Sequence, residues 1–226
     1  HPFMRITFLS NKCKGLLKSD RFAPLLLGLG LSAGVNLLSR NRLGLFFERA
    51  LFCNPDKKPP FAFMDQFPMT SYGLTPSNFK SALLSSGSMP IAMEGVSTIE
   101  GAPGLFRDGG ILDYHLDIPF LPNGDGLVLY PHFYENITPG WFDKALNRKP
   151  CNRNMENVVL VAPSKTFVKS LPYAKIPDRK DFSIFKGKDI QRKVYWKTVL
   201  EKNKQLGEEF FEAIQSGKIR QIVKPL

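Results

Sequence analysis

Leu105-Phe106-Arg107-Asp108-Gly109-Gly110-Ile111-Leu112-Asp113 is the stretch on which the reading of this chain depends. An apolar and aromatic approach delivers an acidic residue followed by two glycines, which places a carboxylate at a sharp turn. Glycines accept positive φ and carry no side-chain bulk, so another backbone or side chain can come close to Asp108. A carboxylate held in this way acts as a general base when a hydroxyl lies within about 2.6–3.2 Å. The plainer reading of the same tripeptide is a tight turn whose aspartate bonds nearby backbone amides.

On the N-terminal side, Thr75-Pro76 opens a helix, with Thr as N-cap, Pro at the first helical position, apolar Phe79, Leu83 and Leu84, and Gly87 as the stop. The small residues Ser85 to Pro90 then permit close packing against a neighbouring backbone. Met4 to Ser10 alternates enough β-branched and aromatic residues to predict a strand, and the basic stretch Lys12 to Arg21 follows it. Phe22 to Leu38 has no charged residue, and Arg40 and Arg42 close it. Its length is at the lower edge of the roughly 17–25 residues that span a bilayer. Pro24 and its glycines favour a buried or interfacial helix instead, running on through Leu43, Phe46, Phe47, Ala50 and Leu51 at helical spacing.

On the C-terminal side, Gly126 to Tyr130 and Asn157 to Val161 are short apolar runs bounded by turn residues, as expected of strands buried on both faces. Ile176 to Phe185 is an irregular, charged connection. From Asp189 the pattern is helical: Tyr195, Val199, Leu206, Phe210 and Ala213 form a stripe, widened by Trp196, Leu200 and Ile214, that ends near Gly217. No repeat, low-complexity tract or linker divides the 226 residues, so the chain reads as one mixed α/β domain.

The ordered set Ser85-Ser86-Gly87-Ser88-Met89-Pro90-Ile91 followed by Phe106 to Asp113 resembles the patatin-like phospholipases. Asp113 to Pro119, Leu129 to Phe133, Pro139 to Lys144 and Ile176 to Phe182 extend the resemblance, towards a bacterial branch. It covers Ser81 to Phe185, and Arg5 to Phe52 also looks like part of that branch. Tyr114-His115 depart from it, standing where many members have Asn plus Pro. The resemblance implies a three-layer α/β/α sandwich, here in part, with a C-terminal helical extension over about 189–217. It also implies a Ser–Asp dyad hydrolysing lipid esters through an acyl-enzyme. Asp108 is then the dyad aspartate, Gly109 and Gly110 shape its turn, and a glycine-rich loop upstream supplies oxyanion amides.

Gly30-Leu31-Ser32-Ala33-Gly34 matches the nucleophile elbow letter for letter, which makes Ser32 a candidate nucleophile. Residues 1–29, however, hold no oxyanion loop, the gap to Asp108 is shorter than the family usually shows, and Ser32 lies within one apolar helical segment. The expectation is that loop and nucleophile lie upstream of His1, and that this stretch alone is inactive.

A net charge of +11 favours polyanions, but the basic residues are scattered and no zinc-ligand spacing or RNA-binding motif accompanies them. A lipid interface fits this charge equally well, and the partners that the resemblance implies are a phospholipid or other lipid ester and an anionic membrane surface, not nucleic acid. The apolar stretch Phe22–Leu38 would serve docking there. Cys13, Cys53 and Cys151 are odd in number and far apart, which suggests a reducing compartment. The expected location is cytoplasmic, peripheral on the inner face of the membrane. His115, Asp117 and His132 lack a convincing further metal ligand and read as structural, so neither metal nor cofactor is expected. Trp141 and Phe142 form either an interfacial lip or a packed turn. The alternative class is a non-catalytic membrane-associated protein that binds lipid or a partner on the same scaffold.

Overall fold

In the computed structural model, which describes residues 5–64, 66–122 and 124–225, the chain forms a mixed α/β structure. Its elements, in chain order, are β1 (Phe8–Cys13), α1 (Phe22–Leu38), β2 (Phe47–Cys53), β3 (Met69–Gly73), α2 (Phe79–Ser86), β4 (Val96–Ile99) and β5 (Ala102–Asp108). There follow β6 (Val128–Pro131), α3 (Asn152–Met155), β7 (Val158–Val161), α4 (Lys165–Ser170), α5 (Asp181–Ile184), α6 (Asp189–Gln215) and α7 (Ile219–Ile222). Although the sequence has no linker and reads as one domain, contacts divide the chain into two compact units. One comprises the described residues up to Val128 together with Ile137–Val158. The other comprises Leu129–Asn136 and the residues from Val159 onward.

The first unit is built on a five-stranded sheet in the order β3-β2-β1-β5-β4. Only β2 and β3 run parallel; β1 is antiparallel to both β2 and β5, and β4 to β5. The register sets the two faces, because successive side chains of a strand point to opposite sides. Ala50, Phe52 and Phe106 point to one face and pack with Ala82 of α2. Cys13 and Phe47 point to the other and join Leu25 and Leu29 of α1, with Leu17, Ile111 and Leu112.

Several sequence expectations are corrected here. The helix predicted to run on through Leu51 stops at Leu38; a 3-10 turn, Arg40–Leu45, leads into β2. All but one of β2's residues are buried, and a strand covered on both faces shows a continuous apolar run in which helical spacing arises by default. The first strand runs from Phe8 to Cys13 rather than from Met4 to Ser10, and Met4 lies outside the described residues. Thr75 caps a turn, not the helix. Its Oγ1 accepts the Asn78 amide at 3.2 Å, and α2 begins only at Phe79. The inward face of α2 is Ala82 and Ser85, while Phe79, Leu83 and Leu84 are exposed. Finally, β6 and β7 pair as a separate two-stranded sheet and are not buried on both faces; Leu127 and Leu129 are exposed. A short apolar run between turns does not reveal what will cover it.

In the second unit, the expected C-terminal helix is α6. Tyr195 and Val199 are buried with Leu171 and Phe185, whereas Leu200 and Ile214 of the predicted stripe are exposed. The connection before it contains the short helix α5, whose buried Asp181 accepts hydrogen bonds from Lys175, from the backbone of Asp178 and from the indole of Trp196.

Candidate active site

Asp108 is the last residue of β5, with its Cα paired to that of Ser10, and it caps a 3-10 turn over Gly109–Ile111. Its Oδ1 accepts the Gly110 amide at 2.7 Å, while its own amide donates to the Ser88 carbonyl at 3.0 Å. The small-residue segment after α2 thus does what its composition predicts and lies against the backbone of β5. Ser85 ties α2 to β1, its hydroxyl 2.7 Å from that of Ser10.

The turn is fixed from below as well. Asn11, fully buried on β1, donates its side-chain amide to the carbonyl oxygens of Asp108 and Gly109. A Cβ on Gly109 would lie 2.3 Å from the Leu9 carbonyl oxygen, so glycine is required there by close approach to β1. Neither Gly109 nor Gly110 has positive φ, and that part of the sequence argument does not apply. At Gly110 a Cβ would meet Asp108 Oδ1 at 3.1 Å.

Beyond the turn, Asp113 makes a bidentate ion pair with Arg49 of β2, both contacts at 2.7 Å and both side chains 1% exposed. Two parallel charge-assisted bonds fix an orientation as well as an attraction. Arg40 donates to the Leu112 carbonyl and pairs with Asp143, and Asn36 of α1 donates to the same carboxylate at 2.8 Å. Burial draws the Arg40 guanidinium below its ordinary value, and the charges of Asp113 and Asp143 oppose that shift. Strand β2 and the turn after α1 therefore converge on Leu112 and Asp113, and Asp143 ties that turn to α1.

Half-buried Asp108 lines a cavity of about 390 Å³ together with Gly109, Gly110, Thr7 and Ser86. Phe8, Leu9, Phe61, Leu116, Ile118 and Phe120 supply most of its walls, which makes it a largely apolar recess lined by two acidic residues, Asp108 at the turn and Asp113, whose carboxylate is paired with Arg49. A neighbouring cavity shares Thr7 and Phe61 and is lined by Lys57 and Lys58. Asn11, Arg49 and Thr7 could not be placed at this site by local pattern, since their contribution depends on contacts distant along the chain.

Ser32 does not share this cavity. It lies in the uninterrupted helix α1, fully buried, and donates its hydroxyl to the Gly28 carbonyl at 2.7 Å. A nucleophile elbow needs a strand-to-helix turn that exposes the hydroxyl, and Ser32 has neither feature. Ser86 does face the cavity, with its hydroxyl donated to the Leu83 carbonyl.

The remaining candidates have structural work. His115 accepts the Thr138 amide on Nδ1 at 2.9 Å. Asp117 accepts the Cys151 amide and the side chain of Asn154, tying down the start of α3. Among the described residues no cluster of three or more His, Cys, Asp or Glu could hold a metal ion. Trp141 and Phe142 are part-buried and pack against the cluster around α1, which corresponds to the packed turn rather than the lip.

Compared with protein-family models, curated proteins and solved structures, the chain matches none at a significant level. A carboxylate fixed by one backbone amide, on a turn pinned from three sides and facing an apolar recess, can take a proton from a hydroxyl that enters the recess.

Proposed function

We propose that this chain supplies the general base of a lipid acyl hydrolase of the patatin-like type, with Asp108 as the aspartate of a Ser–Asp dyad. One observation carries the reading: Asp108 lines a largely apolar cavity of about 390 Å³, on a turn held by its own bond to the Gly110 amide and by the Asn11 side chain. Apolar walls suit an acyl chain, and the lysines of the adjoining cavity suit a phosphate-bearing alcohol.

In this mechanism a serine hydroxyl from a Gly-x-Ser-x-Gly elbow enters the recess. Asp108 takes its proton as the oxygen attacks the ester carbonyl. The tetrahedral intermediate collapses, and the leaving alkoxide departs with that proton. Water then attacks the acyl-enzyme, giving its proton to Asp108, and the serine regains one as the fatty acid leaves. Ser32 takes no part. The three-layer arrangement proposed for the fold agrees with α2 on one face of the sheet and α1 on the other.

The test is fluorophosphonate labelling and ester hydrolysis by the protein expressed from its complete reading frame, with the adduct mapped by peptide mass. The reading expects one labelled serine, at an elbow and not at Ser32. An adduct on Ser32, or no hydrolysis of any lipid ester, would refute it.

A further inference from the structure

Helix α1 is apolar on its outer face as well as on its inner one, where Leu25 and Leu29 join the core. Its side chains include only two polar ones, Ser32 and Asn36, and both point inward, to the Gly28 carbonyl and to Asp143. The outer face carries Phe22, Leu26, Leu27, Leu31, Leu37 and Leu38, each between 47% and 75% exposed. Gly30 and Gly34 lie among them, with nothing within 4 Å of a Cβ placed on either. A surface helix of a globular protein turns its apolar stripe inward and its polar face to water; one that is apolar all round is covered by something. Single exposed apolar side chains need no explanation, but five leucines and a phenylalanine on one helix face form a patch that marks an interaction site.

We propose that this face is a membrane-docking surface, and that its occupant is the interfacial layer of an anionic bilayer. The charges around it select that occupant. Lys18 and Arg21 are exposed before the helix and Arg42 after it, with exposed Leu16 and Leu45 extending the apolar face at either end. Asp20 is the only acidic residue between Lys12 and Phe47, and it is engaged by Arg107 at 2.5 Å. The exposed charges in the segments flanking the helix are therefore mainly cationic, with exposed Glu94 brought near Asp20 by the Gly95 amide as the acidic neighbour. Two copies meeting about a twofold axis would bring these cations close to one another, whereas a negatively charged lipid surface complements them. Among the described residues no helix is long and apolar enough to cross a membrane. Helix α1, roughly 25 Å long at 1.5 Å per residue, lies along the interface with its leucines at the acyl boundary. The inference is independent of the chemistry proposed for Asp108.

Sedimentation with phosphatidylcholine vesicles, with and without phosphatidylglycerol, tests it on the 226-residue chain. The chain should pellet with the anionic vesicles and be released by high salt. Leu27→Glu/Leu31→Glu should lower the partition coefficient by about 100-fold or more, from the apolar area withheld from lipid. Arg21→Gln/Arg42→Gln should lower it by roughly 30-fold at low salt. All these positions are exposed, and unchanged far-ultraviolet dichroism and melting will show that the variants fold. Failure of the wild-type chain to pellet would overturn the proposal, as would equal binding by the variants or equal binding to neutral vesicles. So would a dimer in sedimentation velocity that Leu27→Glu/Leu31→Glu dissociates, which would assign the face to a second copy.

Discussion

Asn11 holds Asp108 by its backbone: one side-chain amide, fully buried on β1, donates to the carbonyl of Asp108 at 2.7 Å and to that of Gly109 at 3.0 Å. The carboxylate is thereby fixed relative to the centre of the sheet without being touched. Replacing Asn11 with Leu removes both donors and leaves two carbonyls without them. The expected loss is about 1–3 kcal/mol in urea denaturation. In the full-reading-frame protein, hydrolysis should fall further than the unfolded fraction explains. An Asn11→Leu protein as stable and as active as wild type would remove Asn11 from the account.

Glycines at two places should respond in opposite directions. A methyl group at Gly109 would meet the Leu9 carbonyl at 2.3 Å, so Gly109→Ala must displace β1 or the turn, at a cost of about 3 kcal/mol. Gly34, on the open face of α1, has no atom within 4 Å of such a methyl group. Gly34→Ala should therefore stabilise the chain by up to ~1 kcal/mol through helix propensity. Thermal melts of the two variants decide this, and the same sign for both would contradict the packing described.

Removing Arg49 from the buried Arg49–Asp113 pair leaves the Asp113 carboxylate without its bidentate partner in the core. Arg49→Met alone should cost about 3–5 kcal/mol. Adding Asp113→Leu should recover much of that loss, because removing both charges also removes the desolvation penalty. A double-mutant cycle measured by chemical denaturation gives the coupling. Additive losses would mean that the two side chains act independently.

Cys13, 1% exposed on β1, has its thiol pushed up to about 12 from an ordinary value of 9.0 by burial, against the opposing charge of Arg107. A pKa raised by folding means that the protonated thiol is the favoured partner of the fold. Its contribution is complete below pH 9 and is lost as pH rises from there through about 12. The urea midpoint should fall more steeply over that window in wild type than in Cys13→Ala. Native thiol titration near neutral pH should modify exposed Cys151 and leave Cys13 intact. Rapid modification of Cys13 in the folded chain would show that β1 is not buried as described.

The turn at Asp108 and the close-packing segment before it were legible because both are local. An acid followed by two glycines, and a run of small residues, restrict the backbone within a few positions. What escaped the sequence depends on distant partners. Asn11 and Arg49 look like ordinary polar interruptions of apolar strands until residues about a hundred and about sixty positions later are brought beside them. Strand β2 was hidden because burial on both faces erases the period of two, and the helical spacing found across it was incidental. The apolar character of α1 was plain, but the inward placing of its only polar side chains was not. Composition does not tell which side of a helix Ser32 and Asn36 occupy; only the bonds they make settle that.

The most direct test of the central claim is hydrolysis of a lipid ester by Asp108→Asn in the protein expressed from its complete reading frame. Asparagine keeps an oxygen able to accept the Gly110 amide, so the fold should survive while the base is lost. The account predicts a fall in kcat of about 10²–10⁴-fold, accompanied by loss of fluorophosphonate labelling. A folded Asp108→Asn protein that hydrolyses the ester at the wild-type rate would contradict it.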